Sequence, residues 1–281
     1  TNVEGNGVIV FATAPDFESP DDSEAPFNAY AVTVNVTDGT NTDAKAITIN
    51  VTDANEAPVI SSSATANAPE NLTGAIDVNH TDQDANPVDT ITYTLSGGVD
   101  ADLFDIDSGT GVVTFKVAPD FESGRSNDYV IDVTANDQSG LSNGALSDTQ
   151  TITITVTDVN ENPSITSSAT FNANENQTAI TTLTATDPDS NPVTFAMTGG
   201  TDIARFQLTS GGLLAFSGFT PNYESPLFND NNDYEVEVTA TDNGTGLLTD
   251  VQAIVVSVID INDAPVISSS ATANAPENLT G

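Results

Sequence analysis

The sequence predicts an all-β chain, a linear array of tandem immunoglobulin-like Greek-key β-sandwiches with about seven strands to a repeat. Three observations carry that prediction. Residues 57–74, APVISSSATANAPENLTG, recur letter for letter at 264–281, with a diverged copy, NPSITSSATFNANEN, at 162–176. The copies start 105 and 102 residues apart, which fits one immunoglobulin-like sandwich per repeat and is too long for a helical solenoid unit. Inside each repeat, apolar residues alternate with polar ones, the period of a half-buried strand, and no segment sustains a helical period.

In chain order, residues 1–56 read as the back half of a repeat whose first strands are missing. Residues 57–161 and 162–263 read as whole repeats, and 264–281 as the opening strand of a further one, so the chain is expected to be a piece of a longer array. Asp16-Phe17-Glu18-Ser19, Asp120-Phe121-Glu122-Ser123 and Asn222-Tyr223-Glu224-Ser225 keep this frame at spacings of 104 and 102 residues. Strand pairs are expected where Tyr30, Val32, Val34 and Val36 precede Ile47, Ile49 and Val51. The same pattern returns as Tyr129, Ile131, Val133, Ala135 with Ile152, Ile154, Val156, and as Tyr234, Val236, Val238, Ala240 with Ile254, Val256, Val258. Earlier strands are expected over 91–95 and 112–117, separated by Gly- and Asp-rich turns, with a hairpin loop at Gly140-Leu141-Ser142-Asn143-Gly144.

Composition narrows the chemistry. Four Lys or Arg stand against 41 Asp or Glu, a net charge of −37 that repels nucleic acid and anionic membranes and collects cations. The absence of cysteine removes disulfides, thiolate metal sites and thiol nucleophiles, and the single histidine, His80, removes any site needing two imidazoles. His80 is expected on a strand surface. The longest apolar run, 253–259, is broken by Ser257 and is far shorter than the ~20 residues of a membrane span. The chain begins Thr-Asn-Val and shows no signal peptide, as a processed protein or an excised piece would. Lys45, Lys116, Arg125 and Arg205 read as too few for an anionic-ligand pocket. No Trp is present to build a sugar platform, Tyr30, Tyr129 and Tyr234 fall at core positions, and no catalytic constellation is found. Asp82-Gln83-Asp84 and Asp187-Pro188-Asp189 open like EF-hand loops, but Pro87 and Pro192 stand where such a loop needs Gly.

The acids recur at fixed places in each repeat rather than scattering as a solvated surface would. The motifs Pro69-Glu70-Asn71, Asp82-Gln83-Asp84, Asp120-Phe121-Glu122 and Ala135-Asn136-Asp137 are joined by the linkers Asp53-Ala54-Asn55-Glu56-Ala57-Pro58 and Asp260-Ile261-Asn262-Asp263-Ala264-Pro265. Over essentially its whole length the chain resembles bacterial cadherin-like repeats of large surface adhesins and secreted proteins. That resemblance implies calcium, Ca2+, as the bound cofactor at the repeat junctions, and calcium's preference for 6–8 hard oxygen ligands suits these residues. Carried across, it assigns Asp16, Glu18, Asp53, Asn55, Glu56, Asp82, Asp84 and Asp137 to the first junction. The middle junction is assigned Glu70, Asp120, Glu122, Asp158, Asn160, Glu161, Asp187, Asp189 and Asp242, and the last keeps Glu175, Glu224, Asp260, Asn262 and Asp263. Asp148 fits none of these motifs. The resemblance implies a non-catalytic, calcium-stiffened spacer at the cell surface or outside the cell. The alternative is a calcium-dependent binding module whose partner is another cadherin-like repeat or a polysaccharide.

Overall fold

The computed structural model describes residues 2–3, 7–21, 27–84, 90–138, 144–227, 231–269, 271–272 and 277. It divides into two compact units, Thr1–Val159 and Asn160–Gly281. In the first unit β1 (Asn2–Val3) pairs antiparallel with β2 (Ile9–Val10), and β3 (Ala29–Thr37) with β4 (Thr42–Asn50). The strands β5 (Val59–Ile60), β6 (Thr65–Pro69), β7 (Gly74–Asp77), β8 (His80–Thr81) and β9 (Thr92–Gly97) follow. The unit ends with β10 (Phe104–Ile106), β11 (Val112–Phe115), β12 (Asp128–Asn136) and β13 (Ser147–Thr157).

One sheet of this repeat runs β6-β13-β12-β9, with β6 parallel to β13, and the other runs β10-β11-β7, while β5 pairs with β8. β-branched and aromatic residues at every second position stand on the inner face of each pleat. Ile131, Val133, Ala135, Ile152 and Ile154 are each 0% exposed, and they pack with Phe104, Val113 and Phe115 in one core. Phe104, Phe115 and Tyr129 meet there at ring separations of 4.4 to 5.8 Å. A single 3-10 turn, Phe121–Ser123, carries the Asp120-Phe121-Glu122 motif and is capped by Asp120, whose side chain accepts the Glu122 N–H.

The second unit repeats the plan with β14 (Ser164–Ile165), β15 (Thr170–Asn174), β16 (Ala179–Thr182), β17 (Ala185–Thr186) and β18 (Thr194–Gly199). It closes with β19 (Phe206–Leu208), β20 (Leu213–Phe216), β21 (Asp233–Thr241) and β22 (Thr249–Ile259). The sheets run β15-β22-β21-β18 and β16-β20-β19, and Val238, Ala240, Leu214, Ile254 and Val256 are fully buried between them. Gly111 and Gly212 mark the same backbone approach in the two repeats. Both have positive φ, and a Cβ would stand 2.3 Å from the Val78 carbonyl oxygen in one and 2.6 Å from that of Leu183 in the other.

Several expectations are corrected. The strand expected at 91–95 is Thr92–Gly97, and the one expected at 112–117 stops at Phe115, opposite Phe104, where its partner strand begins after the 3-10 turn Ala101–Leu103. His80 is half-buried rather than a surface residue, with its Nδ1 hydrogen-bonded to the Tyr93 hydroxyl. Among the described residues of 264–281 no strand forms, and Ile267 is 88% exposed where its counterpart Ile60 is 6% exposed. Ile60 is sheltered because β5 pairs with β8, and residues 264–281 contain no counterpart of β8. Four of the five residues of the expected hairpin loop, 140–143, lie outside the described residues.

Candidate metal centre

In the first unit a turn, a linker and a loop converge. Carboxylate oxygens of Glu18, Glu56 and Asp84 lie within 4.8 Å of one another. Glu18 is presented by a turn in which Asp16 Oδ1 accepts the N–H groups of Glu18 and Ser19 at 3.1 and 3.0 Å. Asn28, held in the left-handed region at φ 64°, pins the same turn by donating to the Phe17 carbonyl at 2.8 Å. Glu56 is fixed through its backbone, whose N–H donates to Asp84 Oδ2 at 2.7 Å, and Asp82 Oδ1 in turn accepts the Asp84 N–H at 3.0 Å. Glu18 and Asp84 are therefore held by short-range backbone bonds that the Asp-Phe-Glu and Asp-x-Asp spacings make possible, and Glu56 by a bond to Asp84, 28 residues on.

Two residues assigned to this junction also hold the linker in place. Asn55, 3% exposed, donates its amide to Asp137 Oδ2 at 2.9 Å and to the Gly144 carbonyl at 2.8 Å. Asp137, 0% exposed, takes the Leu146 N–H on its other oxygen. Asp16 stands apart from the close trio, with Gln83 Nε2 donating to both its oxygens at 3.2 and 3.1 Å.

The electrostatics are those of crowded acids. Burial, and then the charges of Asp84 and Glu18, push the Glu56 carboxyl up to about 7. Glu18 is raised as well, by burial first and then by Asp53 and Asp84 against the lowering effect of its own backbone N–H. Asp53 Oδ1, Glu56 Oε2, Asp82 Oδ2 and Asp84 Oδ1 are buried with no hydrogen-bond partner among the described residues. A buried carboxylate oxygen without a donor is costly, and a hard cation removes that cost where a hydrogen-bond donor does not reach. The donor set is entirely oxygen, with no imidazole or thiolate, which suits calcium rather than zinc or copper. The residues present fit the ion.

The second unit reproduces the device. Asp189 Oδ2 accepts the Glu161 N–H at 2.7 Å and Asp187 Oδ1 that of Asn191 at 3.1 Å, leaving Asp189 Oδ1 and Asp187 Oδ2 buried and unpartnered among the described residues. Asn160 donates to Asp242 Oδ2 at 2.7 Å, and its own oxygen accepts from Asn191 Nδ2 at 3.0 Å. That side chain lies flat on Gly244, where a Cβ would meet Asn160 Oδ1 at 1.7 Å. A further trio, Glu175, Glu224 and Asp260, brings carboxylate oxygens within 4.8 Å, while Asp263 bonds to Asn176 at 3.3 Å and Asn262 is exposed. Glu175 is 0% exposed and accepts the Ile261 and Tyr223 N–H groups, both at 2.9 Å, which hold its carboxyl below the ordinary range. In the first unit Glu70 accepts the Phe121 and Val159 N–H groups at 2.7 and 2.8 Å. Asp120, Glu122 and Asp158 are exposed in that unit.

One structural acid escaped the motif reading. Asp148 Oδ2 accepts the Ile60 N–H at 2.9 Å, and Asp250 repeats the bond to Ile165 at 2.8 Å. Their spacing of 102 residues, the repeat period, is the signal that marks the pair.

Comparison with known proteins agrees with this architecture. Residues 64–157 match the family described as Cadherin domain. The crystal structure of mouse protocadherin-24 EC1-3 superposes with a TM-score of 0.53 at 19% identity, covering 92% of this chain and 86% of that one. The protocadherin gammaB7 EC3-6 cis-dimer structure gives 0.52 at 21% identity, covering 82% of this chain and 60% of that one. Over 68 residues, 24% of its length, the chain is 41% identical to halomucin of Haloquadratum walsbyi, of which it spans 1%. Residues 64–157 thus match the cadherin domain, and over 92% of its length the chain shares the fold of that protocadherin ectodomain structure.

Proposed function

We propose that this chain is a non-catalytic spacer and adhesion segment of a surface or secreted protein, stiffened at its repeat junctions by calcium. The observation that carries the reading is a set of six carboxylate oxygens, on Asp53, Glu56, Asp82, Asp84, Asp187 and Asp189, that are buried and without a hydrogen-bond partner among the described residues, all of them residues that the family pattern assigns to ions. Glu18, Asp53, Glu56, Asp82 and Asp84 would hold calcium at the first junction, and Asn55 and Asp137 would fix the linker that carries Glu56. Asp187, Asp189 and Glu161 are prepared in the same way in the second unit. By repeat equivalence Glu70, Asp120, Glu122 and Asp158 complete the middle set, and Glu175, Glu224 and Asp260 begin the last. Neutralising these clusters removes the repulsion that would otherwise let each linker swing, so a chain of sandwiches becomes a rod. The resemblance to halomucin over 68 residues supports placing the parent protein at a cell surface.

Small-angle scattering and thermal melting in excess EDTA and in millimolar calcium test the reading. Calcium is expected to raise the melting temperature and lengthen the particle. Identical profiles in the two buffers would remove the rod from consideration.

A further inference from the structure

Between β21 and β22 the chain turns through residues 242–248 and closes on one linker side chain. Asp242 anchors the turn, its N–H donating to the Leu248 carbonyl at 3.1 Å and its Oδ1 accepting the Leu248 N–H at 2.8 Å. The same turn seats Asn160, whose Nδ2 donates to Asp242 Oδ2 at 2.7 Å and to the Thr245 carbonyl at 3.2 Å. Between those two contacts the amide lies on Gly244, where a Cβ would stand 1.7 Å from Asn160 Oδ1 and 2.5 Å from its Cγ. Any side chain at 244 would displace Asn160, so packing restricts the position to glycine.

That restriction exposes the residue before it to chemistry. Asn243 is exposed, and among the described residues neither its side chain nor the Gly244 N–H has a hydrogen-bond partner. A backbone nitrogen whose own residue has no Cβ is the least shielded nucleophile a chain can offer to the preceding side-chain amide. In the repeat 57–161 the residue after the matching Asp137 is Gln138, whose longer side chain would have to close a six-membered ring and is held by the Asn136 side chain at 3.2 Å.

From this geometry we infer that Asn243 is a site of spontaneous deamidation and that its isoaspartyl product unseats Asn160. The Gly244 nitrogen attacks Asn243 Cγ, a new C–N bond forms, the Gly244 N–H proton is lost and ammonia leaves, closing a succinimide. Water then opens the ring at either carbonyl to give aspartate or isoaspartate, with no change in oxidation state. In isoaspartate the main chain runs through Cβ and Cγ and is one methylene longer. The added length falls between Asp242 and Thr245, the two residues that hold the Asn160 amide, so the spacing of its anchors is lost. Neither step involves a metal ion, so the change proceeds in chelator.

The test incubates the full chain in mildly alkaline buffer with EDTA, maps its digest by mass spectrometry and follows the Asn160 side-chain amide by NMR. The peptide carrying Asn243 should gain one mass unit, isoaspartate should appear there, and the Asn160 amide signal of the fresh protein should be lost in step. Asn243→Gln, which places the residue of the other repeat, should show neither change. Asn6-Gly7 and Asn143-Gly144 persist in that variant, so its aged spectrum subtracts their contribution. Fresh Asn243→Asp, which adds the charge without the extra methylene, should keep the Asn160 signal. Should Asn243→Gln fail to fold, the wild-type time course and fresh Asn243→Asp decide alone. No mass gain at Asn243 over a period in which the urea-unfolded chain is converted overturns the site, and conversion that leaves the Asn160 signal unchanged overturns its effect.

Discussion

Asp84→Asn isolates the metal-holding part of the first junction from its scaffolding part. Asp84 Oδ2 accepts the Glu56 N–H, a bond that an asparagine amide oxygen can still make, while Asp84 Oδ1 is buried without a partner among the described residues. The substitution therefore keeps the linker's anchor and removes one negative charge from beside Glu56 and Glu18. Its effect should change sign with calcium. In chelator the variant should be at least as stable as the wild type, because the repulsion that helps push Glu56 up to about 7 is relieved. With calcium it should lose. An extracellular-type site with a dissociation constant of ~10⁻⁴ M contributes about 2.3 kcal/mol at ~5 mM calcium, and tenfold weaker binding leaves about 1.1 kcal/mol. For a unit of this size that difference is worth about 2–5 °C in melting temperature. Calorimetry of the wild type, Asp84→Asn and the exposed-site control Asp43→Asn, each in EDTA and in calcium, reads it directly. If Asp84→Asn and Asp43→Asn show the same calcium-dependent gain, Asp84 is no ligand and the first junction has been misassigned.

Glu70→Ala and Glu175→Ala should destabilise their units even in EDTA. Each strands two backbone N–H groups at about 1–3 kcal/mol apiece, which denaturant titration in chelator measures. Asp148→Ala should cost about 1–3 kcal/mol through the lost bond to the Ile60 N–H, whereas Asp43→Ala should stay within about 0.5 kcal/mol, by the same titration. The calcium-free protein should gain stability as pH falls from 7 toward 5. The Glu56 carboxyl is raised in the folded chain, so the native state binds more protons than the unfolded one across that interval. Melting temperatures against pH in chelator check this, and in calcium the trend should reverse as protons compete with the ion.

The alternation of Tyr129, Ile131, Val133 and Ala135 revealed both the strand and its buried face, because a period of two admits one inward set. The repeat period did the same for the Asp-x-Asp and Asp-Phe-Glu turns, whose side chains bond to their own backbone two or three residues away. What stayed hidden depends on contacts made far along the chain. His80 looked exposed because Tyr93, on another strand, supplies its cover. Asp148 looked incidental because its partner, the Ile60 N–H, is 88 residues earlier.

The acids at the junctions divide by how their two oxygens are used, and that division separates stability from calcium response. Glu70, Glu175, Asp137 and Asp242 each have both oxygens engaged by donors, two backbone N–H groups for the glutamates, a backbone N–H and a linker asparagine amide for the aspartates. They are among the most buried polar side chains in the structure, and their negative charge is stabilised whether or not an ion is bound. Asp82, Asp84, Asp187 and Asp189 each spend one oxygen on a backbone N–H and bury the other without a donor among the described residues. In the second group the backbone bond sets direction and the remaining oxygen is left for a cation. Loss of a member of the first group should therefore damage the fold in every buffer, whereas Asp→Asn in the second, which can keep the backbone bond, should cost stability only when calcium is present. A net charge of −37 is tolerable under this arrangement because a fixed part of it is neutralised by aimed N–H dipoles and the rest is open to ions.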